Sequence, residues 1–179
     1  MKQKASILRL TITLLVITSV VAAALAGVNA LTKDRIAAIR AEKSNDAVSQ
    51  VLKGDAKKME LTGDTGIVTG AYESEFGYAV LVAPQGFAGP INMMVGVDRS
   101  GQITGLVIVS SSESPGYGAI AGEDSDAGRA FRDQFIGMSG ELAVKQDGGA
   151  VDSITGATGS SRTIVSGINA ALEFVKSLG

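Results

Sequence analysis

The clearest chemistry in this chain lies in a run of small and hydroxyl-bearing residues near its C-terminal end, Asp152-Ser153-Ile154-Thr155-Gly156-Ala157-Thr158. Thr158 stands 21 residues from the end, among Gly156, Ala157, Gly159 and Ser160. Small neighbours leave its hydroxyl sterically open to a modifying enzyme, and glycine reaches backbone angles that other residues avoid. A second run, Glu113-Ser114-Pro115-Gly116-Tyr117-Gly118, brings together a carboxylate, a hydroxyl and an aromatic ring. Pro115 fixes φ and Gly116 permits positive φ, so a tight turn with exposed backbone is expected there. Taken on physics alone, that turn reads as a connecting loop.

Two other readings of residues 155–161 are weighed by context. The segment has the look of the Gly-rich turn of short-chain dehydrogenases, which needs a buried strand before it, a helix after it and a third glycine for helix packing. Arg162 stands where that glycine belongs, residues 145–153 make a poor buried strand, and only 17 residues follow Arg162. No second strand with a ribose-binding acid fits in that length. The plainer reading is a Gly/Ser turn before the last helix, with Ser160 or Ser161 as its N-cap, and it is compatible with a modified Thr158.

Composition narrows the chemistry further. The chain has no Cys and no His. That excludes disulfides, iron–sulfur clusters and thiolate metal sites, and it removes the commonest catalytic base and metal ligand. A Ser-His-Asp hydrolase or a zinc enzyme is therefore not expected, and any redox chemistry must come from a cofactor. The formal net charge of −2 argues against nucleic-acid binding.

The elements that position the two runs are legible in outline. Residues 33–53 read as a helix, with Ile36, Ile39, Val48, Val51 and Leu52 at apolar positions and Gly54 to end it. Residues 66–72 and 77–83 read as strands, and residues 86–90 as a loop. Residues 91–97 and 103–109 flank Asp98-Arg99-Ser100-Gly101, a hairpin signal. A short helix is expected over 127–136, with Phe131 and Phe135 packing in the core. Arg162 to Leu178 reads as the last helix, its stripe of Ile164, Ile168, Leu172 and Val175 facing the core. Thr158 then falls close to a helix N-terminus, where backbone N–H groups and the positive dipole end favour a phosphate.

Leu10 to Leu31 carries no charge over 22 positions, about 33 Å as a helix and enough to cross the hydrocarbon core. Lys2, Lys4 and Arg9 precede it, so the positive-inside rule leaves the N-terminus in the cytoplasm and the rest outside. The small residues from Ala22 to Gly27 would also suit a signal peptidase, but the apolar run is longer than a signal core and points to an uncleaved anchor. Either way the 148 residues after it form one domain outside the cytoplasm. The expected architecture is α+β. It has a cytoplasmic N-terminus over 1–9, a transmembrane helix over 10–31, and an extracytoplasmic domain over 32–179 with an antiparallel β-sheet and flanking helices.

At residues 152–158 the chain resembles a known family. Asp-x-x-Ser/Thr-Gly-Ala-Thr is the flavinylation signature of FMN-binding domains in the Rnf and sodium-pumping quinone reductase complexes, and every fixed position is present here. The resemblance implies that Thr158 carries FMN through a phosphoester bond installed by an FAD-dependent FMN transferase. Asp152, Thr155, Gly156 and Ala157 would be the recognised surroundings, with Ser160 and Ser161 as further candidates for phosphate or ribityl contacts. The same family has Glu-Thr-Pro-Gly-Leu-Gly at the place of Glu113 to Gly118, lining the isoalloxazine ring. Here Ser114 keeps the hydroxyl, Tyr117 replaces leucine with a ring able to stack on the flavin, and Ser111 replaces a histidine found in many relatives. The length and single domain are most similar to the G subunits of Rnf complexes. The resemblance implies a membrane-anchored electron carrier with covalent FMN in an ion-translocating ferredoxin:NAD+ oxidoreductase, with no turnover of its own. Its partners would be the other Rnf subunits, which bear flavins and iron–sulfur centres. The alternative from another class is an anchored extracytoplasmic domain that binds a partner without redox chemistry.

Overall fold

The computed structural model describes residues 2–61 and 65–178. Met1, part of the expected N-terminal segment, lies outside them. The chain divides into two units, Met1–Ala41 and Glu42–Gly179.

The first unit is the greater part of one helix, α1 (Lys2–Val51). Among the described residues it is the one helix long and apolar enough to cross a membrane. Leu10, Leu14, Val20, Leu25 and Leu31 are exposed along its N-terminal part. A helix apolar on all sides suits lipid. Its threonines are compatible with that setting. The hydroxyls of Thr13, Thr18 and Thr32 donate to the carbonyls of Arg9, Leu14 and Val28 at 2.8–2.9 Å, which leaves no donor among them unmet in a medium that offers no water.

The second unit is built on a five-stranded antiparallel meander: β1 (Lys57–Met59), β2 (Val68–Ser74), β3 (Gly77–Val82), β4 (Asn92–Asp98) and β5 (Ile103–Ser110). The expected hairpin is β4–β5. Its turn is closed by Asp98, whose Oδ1 accepts from the Ser100 amide and hydroxyl and from the Gln102 amide at 2.7–2.9 Å. β1 is absent from the sequence-based expectation. It is a three-residue edge strand paired to β2, and its two lysines, Lys57 and Lys58, are exposed, a common guard against edge-to-edge association.

Strand alternation sends side chains to two cores. On one face Val80, Val82, Met93, Val95 and Leu106 meet Phe131, Phe135, Ile164, Ile168 and Ala171. These last come from α2 (Asp126–Asp133), the turn after it, and α3 (Thr158–Leu178). Phe131 and Phe135 pack edge to face, with ring centroids 5.4 Å apart. The expected stripe on α3 holds: Ile164 and Ile168 are fully buried, and Leu172 and Val175 pack on the core's margin. α2 ends at Asp133, three residues short of the expected Ile136, and the chain continues in turns.

On the other face Ala47, Val48, Val51 and Leu52 from the end of α1 pack on Ala79, Met94 and Val109. A bulge in β5 puts both Thr104 and Gly105 on this side. Gly96 and Gly105 are cross-strand partners, and together they leave a slot for the helix end. The Thr104 hydroxyl donates to the Val51 carbonyl at 2.6 Å, satisfying one of the carbonyls left open at a helix C-terminus. A Cβ on Gly96 would collide with that same carbonyl. Gly96→Ala should therefore lower domain stability by about 1–3 kcal/mol through overpacking. Gly70→Ala, where an added methyl lies 3.6 Å from Leu81, should be close to neutral. Thermal unfolding of both variants in detergent followed by circular dichroism checks this, and equal melting temperatures would contradict the slot.

Candidate functional site

The two sequence runs meet at the start of α3. Pro115 and Gly116 form the expected turn. Gly116 has φ 76°, and the Tyr117 amide donates to the Ser114 carbonyl at 3.2 Å, as in a type II turn. Thr155 and Gly156 form a second turn of the same kind. Gly156 also has φ 76°, and the Ala157 amide donates to the Ile154 carbonyl at 2.9 Å. Gly156 has no side chain, and the Tyr117 ring lies 3.3 Å from where its Cβ would be. The two loops are thus in contact through Tyr117, which is itself 57% exposed.

The helix opens four residues earlier than its apolar stripe suggests, at Thr158 and not Arg162. The first helical hydrogen bond runs from the Ser161 amide to the Ala157 carbonyl at 3.0 Å. The amides of Thr158, Gly159 and Ser160 therefore precede the helical ladder and lie at its positive end. Thr158 is half-buried, and no hydrogen bond from its hydroxyl to another described residue is present. The space a side chain would fill at Gly159 is open. Thr158 thus presents an unengaged hydroxyl beside unladdered amides and open space, a setting that suits an anionic group.

Neither Ser160 nor Ser161 is an N-cap, because both lie inside the first turn. Ser161 is fully buried. Its Oγ accepts from the Ile154 amide and donates to the Ala157 carbonyl, both at 3.0 Å, which fastens the 154–157 turn to the helix. Ser160 is also buried and donates to the carboxylate of Glu113. Both hydroxyls are engaged within the protein.

Glu113 is only 7% exposed. Its Oε2 accepts from Ser160, and its Oε1 accepts from the Ala88 amide at 3.1 Å, with a further backbone bond from Phe87. Burial pushes this carboxyl up, yet the bonds from Ser160, Ala88 and Phe87 together outweigh it and hold the group below the usual glutamate value. A Cβ on Gly86 would lie 2.5 Å from Oε1, and one on Gly118 would lie 2.6 Å from Oε2. The carboxylate therefore sits in a cradle that only these two glycines leave open. The loop at 86–90, read from the sequence as a plain connection, belongs to this cluster. Nothing in its composition beyond the Gly86 and Gly89 turn residues signals that.

Asp152 is exposed and lies elsewhere in the arrangement. Its carboxylate pairs with Lys145 at 2.7 Å, and its backbone is bracketed by the Gln134 amide group at 2.7 and 3.0 Å. Residues 145–153 form a 3-10 turn at Lys145–Asp147 and a single parallel bridge, Val144 to Val151, so no buried strand precedes the glycine turn. Arg162, one turn beyond Thr158, pairs with both oxygens of Asp147 at 2.6 and 2.7 Å. A shallow hollow of about 360 Å³ lies beside this turn, lined by Ile67, Pro84, Gln85, Arg162, Thr163 and Ser166. A larger cleft of about 960 Å³ contains none of the motif residues. It is lined by Tyr78, Arg99, Leu172 and Lys176 among others.

Residues 86–173 match the FMN-binding domain family, and residues 1–51 match the RnfG N-terminal region. The chain is 31% identical over 106 residues to the G subunit of the Na(+)-translocating ferredoxin:NAD(+) oxidoreductase complex of Acetobacterium woodii, covering 57% of this chain and half of that protein. It is 28% identical to the G subunit of the ion-translocating oxidoreductase complex of Methanosarcina acetivorans, covering 98% of this chain and 97% of that one. It is 30% identical to the corresponding G subunit of Haemophilus influenzae, covering 78% and 76%.

The Glu113 cluster carries a testable pH signature. A depressed carboxyl stabilises the fold above the ordinary glutamate value of about 4.3, and that contribution is lost as pH falls through the lower folded-state value. Glu113→Gln should cost about 1.5–3 kcal/mol near neutral pH, with the gap to the parent narrowing below about pH 4. Thermal unfolding of both proteins across that range checks it, and a gap constant with pH would contradict an ionised Glu113.

Proposed function

The chain belongs to the family of G subunits of ion-translocating oxidoreductase complexes, and we propose that it works as the membrane-anchored flavoprotein that carries electrons within such a complex. Its FMN-binding domain supports FMN as the cofactor. FMN supplies the reversible acceptance and donation of electrons, which no side chain here provides. The chain's own contribution is to hold, orient and shield it.

Thr158 is the attachment residue in this reading. The supporting observation is the opening of α3, where a hydroxyl with no described partner stands among unladdered amides at the positive helix end. Attachment forms one bond from Thr158 Oγ1 to the FMN phosphorus. With FAD as donor, the pyrophosphate bond breaks, AMP leaves and the hydroxyl proton is released. The amides of Thr158, Gly159 and Ser160 then face the phosphoester. Thr155, Gly156 and Ala157 shape the turn before it, and Asp152 is a surface feature for a transferase to read. Ser160, Ser161 and Glu113 act behind the site by fixing the helix end. Ser114, Pro115, Gly116, Tyr117 and Gly118 form the neighbouring loop, with Tyr117 available to stack on the ring.

The electrons come from and go to other subunits that bear flavins and iron–sulfur centres, and the complex as a whole couples ferredoxin oxidation and NAD+ reduction to ion transport. The isolated chain shows no turnover. Lys2, Lys4 and Arg9 keep the N-terminus in the cytoplasm, and residues after the span face the outer side. A covalent bond is useful there, because a lost FMN is not readily replaced outside the cytoplasm.

Intact mass spectrometry of protein from its host should show one esterified FMN, mapped by peptide analysis to the fragment with Thr158. Thr158→Ala should lose that mass and the in-gel flavin fluorescence, while its melting temperature changes little, as for a surface substitution of within about 0.5 kcal/mol. Retained covalent fluorescence in that variant would falsify the assignment. Because the chain has no cysteine, Ser177→Cys gives a single reporter of sidedness. A membrane-impermeant maleimide should label it on intact cells, and labelling only after lysis would reverse the topology.

A further inference from the structure

We propose that Phe87 is a wall of the flavin site, its ring packing against the isoalloxazine of an FMN held on Thr158. The inference rests on the reading of Thr158 given above. Phe87 is 94% exposed, more than any other large apolar side chain described. An aromatic ring in water forgoes the favourable transfer that drives such residues inside, so its position calls for an apolar occupant. The ring is not on a loose tip. The Gly86 amide donates to the Gly89 carbonyl at 2.9 Å, and the Ile91 amide to the Pro84 carbonyl at 2.9 Å, with Gln85 and Pro90 bridged between them.

Two contacts place this loop at the helix end. The amides of Phe87 and Ala88 reach the Glu113 carboxylate, and the other oxygen of that carboxylate is held by Ser160, two residues after Thr158. On the flank, Pro84 and Gln85 share a hollow with Arg162 and Thr163, one turn beyond Thr158. Tyr117 touches the turn before Thr158, and Phe87 is fixed to the turn after it. The flat tricyclic ring of an FMN tethered at Thr158 is an occupant that needs no partner chain to reach this loop. An aromatic face also suits the ring chemically, since offset stacking between two π-systems is favourable beyond the area it buries.

The full chain, produced with its transferase, tests this through four proteins: the parent, Phe87→Ala, Phe87→Leu and Phe87→Trp. Intact mass reports attachment, and flavin fluorescence is compared before and after denaturation. An electron-rich indole in contact with oxidised flavin quenches its fluorescence by electron transfer, whereas phenyl and aliphatic side chains do not. We expect full attachment in all four, with a similar native-to-denatured fluorescence ratio in the parent, Phe87→Ala and Phe87→Leu, and a ratio at least about twofold lower in Phe87→Trp, where the indole lies against the ring. Full attachment with the same native-to-denatured ratio in every variant would overturn the proposal. So would an unchanged ratio with loss of the partner proteins on purification, which would assign Phe87 to an interface within the complex. A parent protein without esterified FMN would instead overturn the reading of Thr158, on which the proposal stands.

Discussion

One buried carboxylate organises the functional end of this domain. Glu113 is almost sealed from water and still carries its charge, which is costly unless donors surround it. Its donors come from the 86–90 loop and the first turn of α3, and the residue itself begins the 113–118 loop. Three segments far apart in sequence are thereby fixed at one point. The interaction also explains the glycines around it. At Gly86 and Gly118 a side chain of any size would occupy the space of the carboxylate oxygens. Charge-assisted bonds of this kind are roughly twice as strong as neutral ones. Removing one partner strands the others, so the cost of losing Glu113 exceeds that of any single bond it makes.

The frame around this point is conventional in its physics. Period-two strands feed two cores, and the stripe on α3 supplies the larger of them. The apolar part of α3 begins at Ile164, so the residues before it bear little packing load apart from Ser160 and Ser161. Thr158 and Gly159 are in consequence left free for chemistry while the helix they begin is held by its later turns. The same division appears in composition. A chain without histidine or cysteine contributes shape, dipole and shielding, and leaves electron transfer to FMN.

What sequence reveals and what it hides divide along the range of the interactions. The β4–β5 hairpin, the apolar span, the core stripe of α3 and the Pro115-Gly116 turn all follow from local pattern, and each is present. The start of α3 escapes that pattern because its opening residues are small and polar. They enter the helix through the Gly156 turn and the Ser161 back-bond, and not through apolar periodicity. β1 escapes it because three residues with two exposed lysines carry no alternation. The joining of Glu113 to Ser160 and Ala88 spans 47 and 25 positions, and no window along the chain contains both ends. Motif resemblance locates these residues, and the structure adds that Glu113 and Ser160 are bonded to each other.

Thr158 opens α3 without bearing on what holds that helix in place. Its helix is held by Ile164, Ile168 and Ala171 in the core, contacts that owe nothing to any group on the threonine. The start of α3 is therefore held in place by contacts further along the helix.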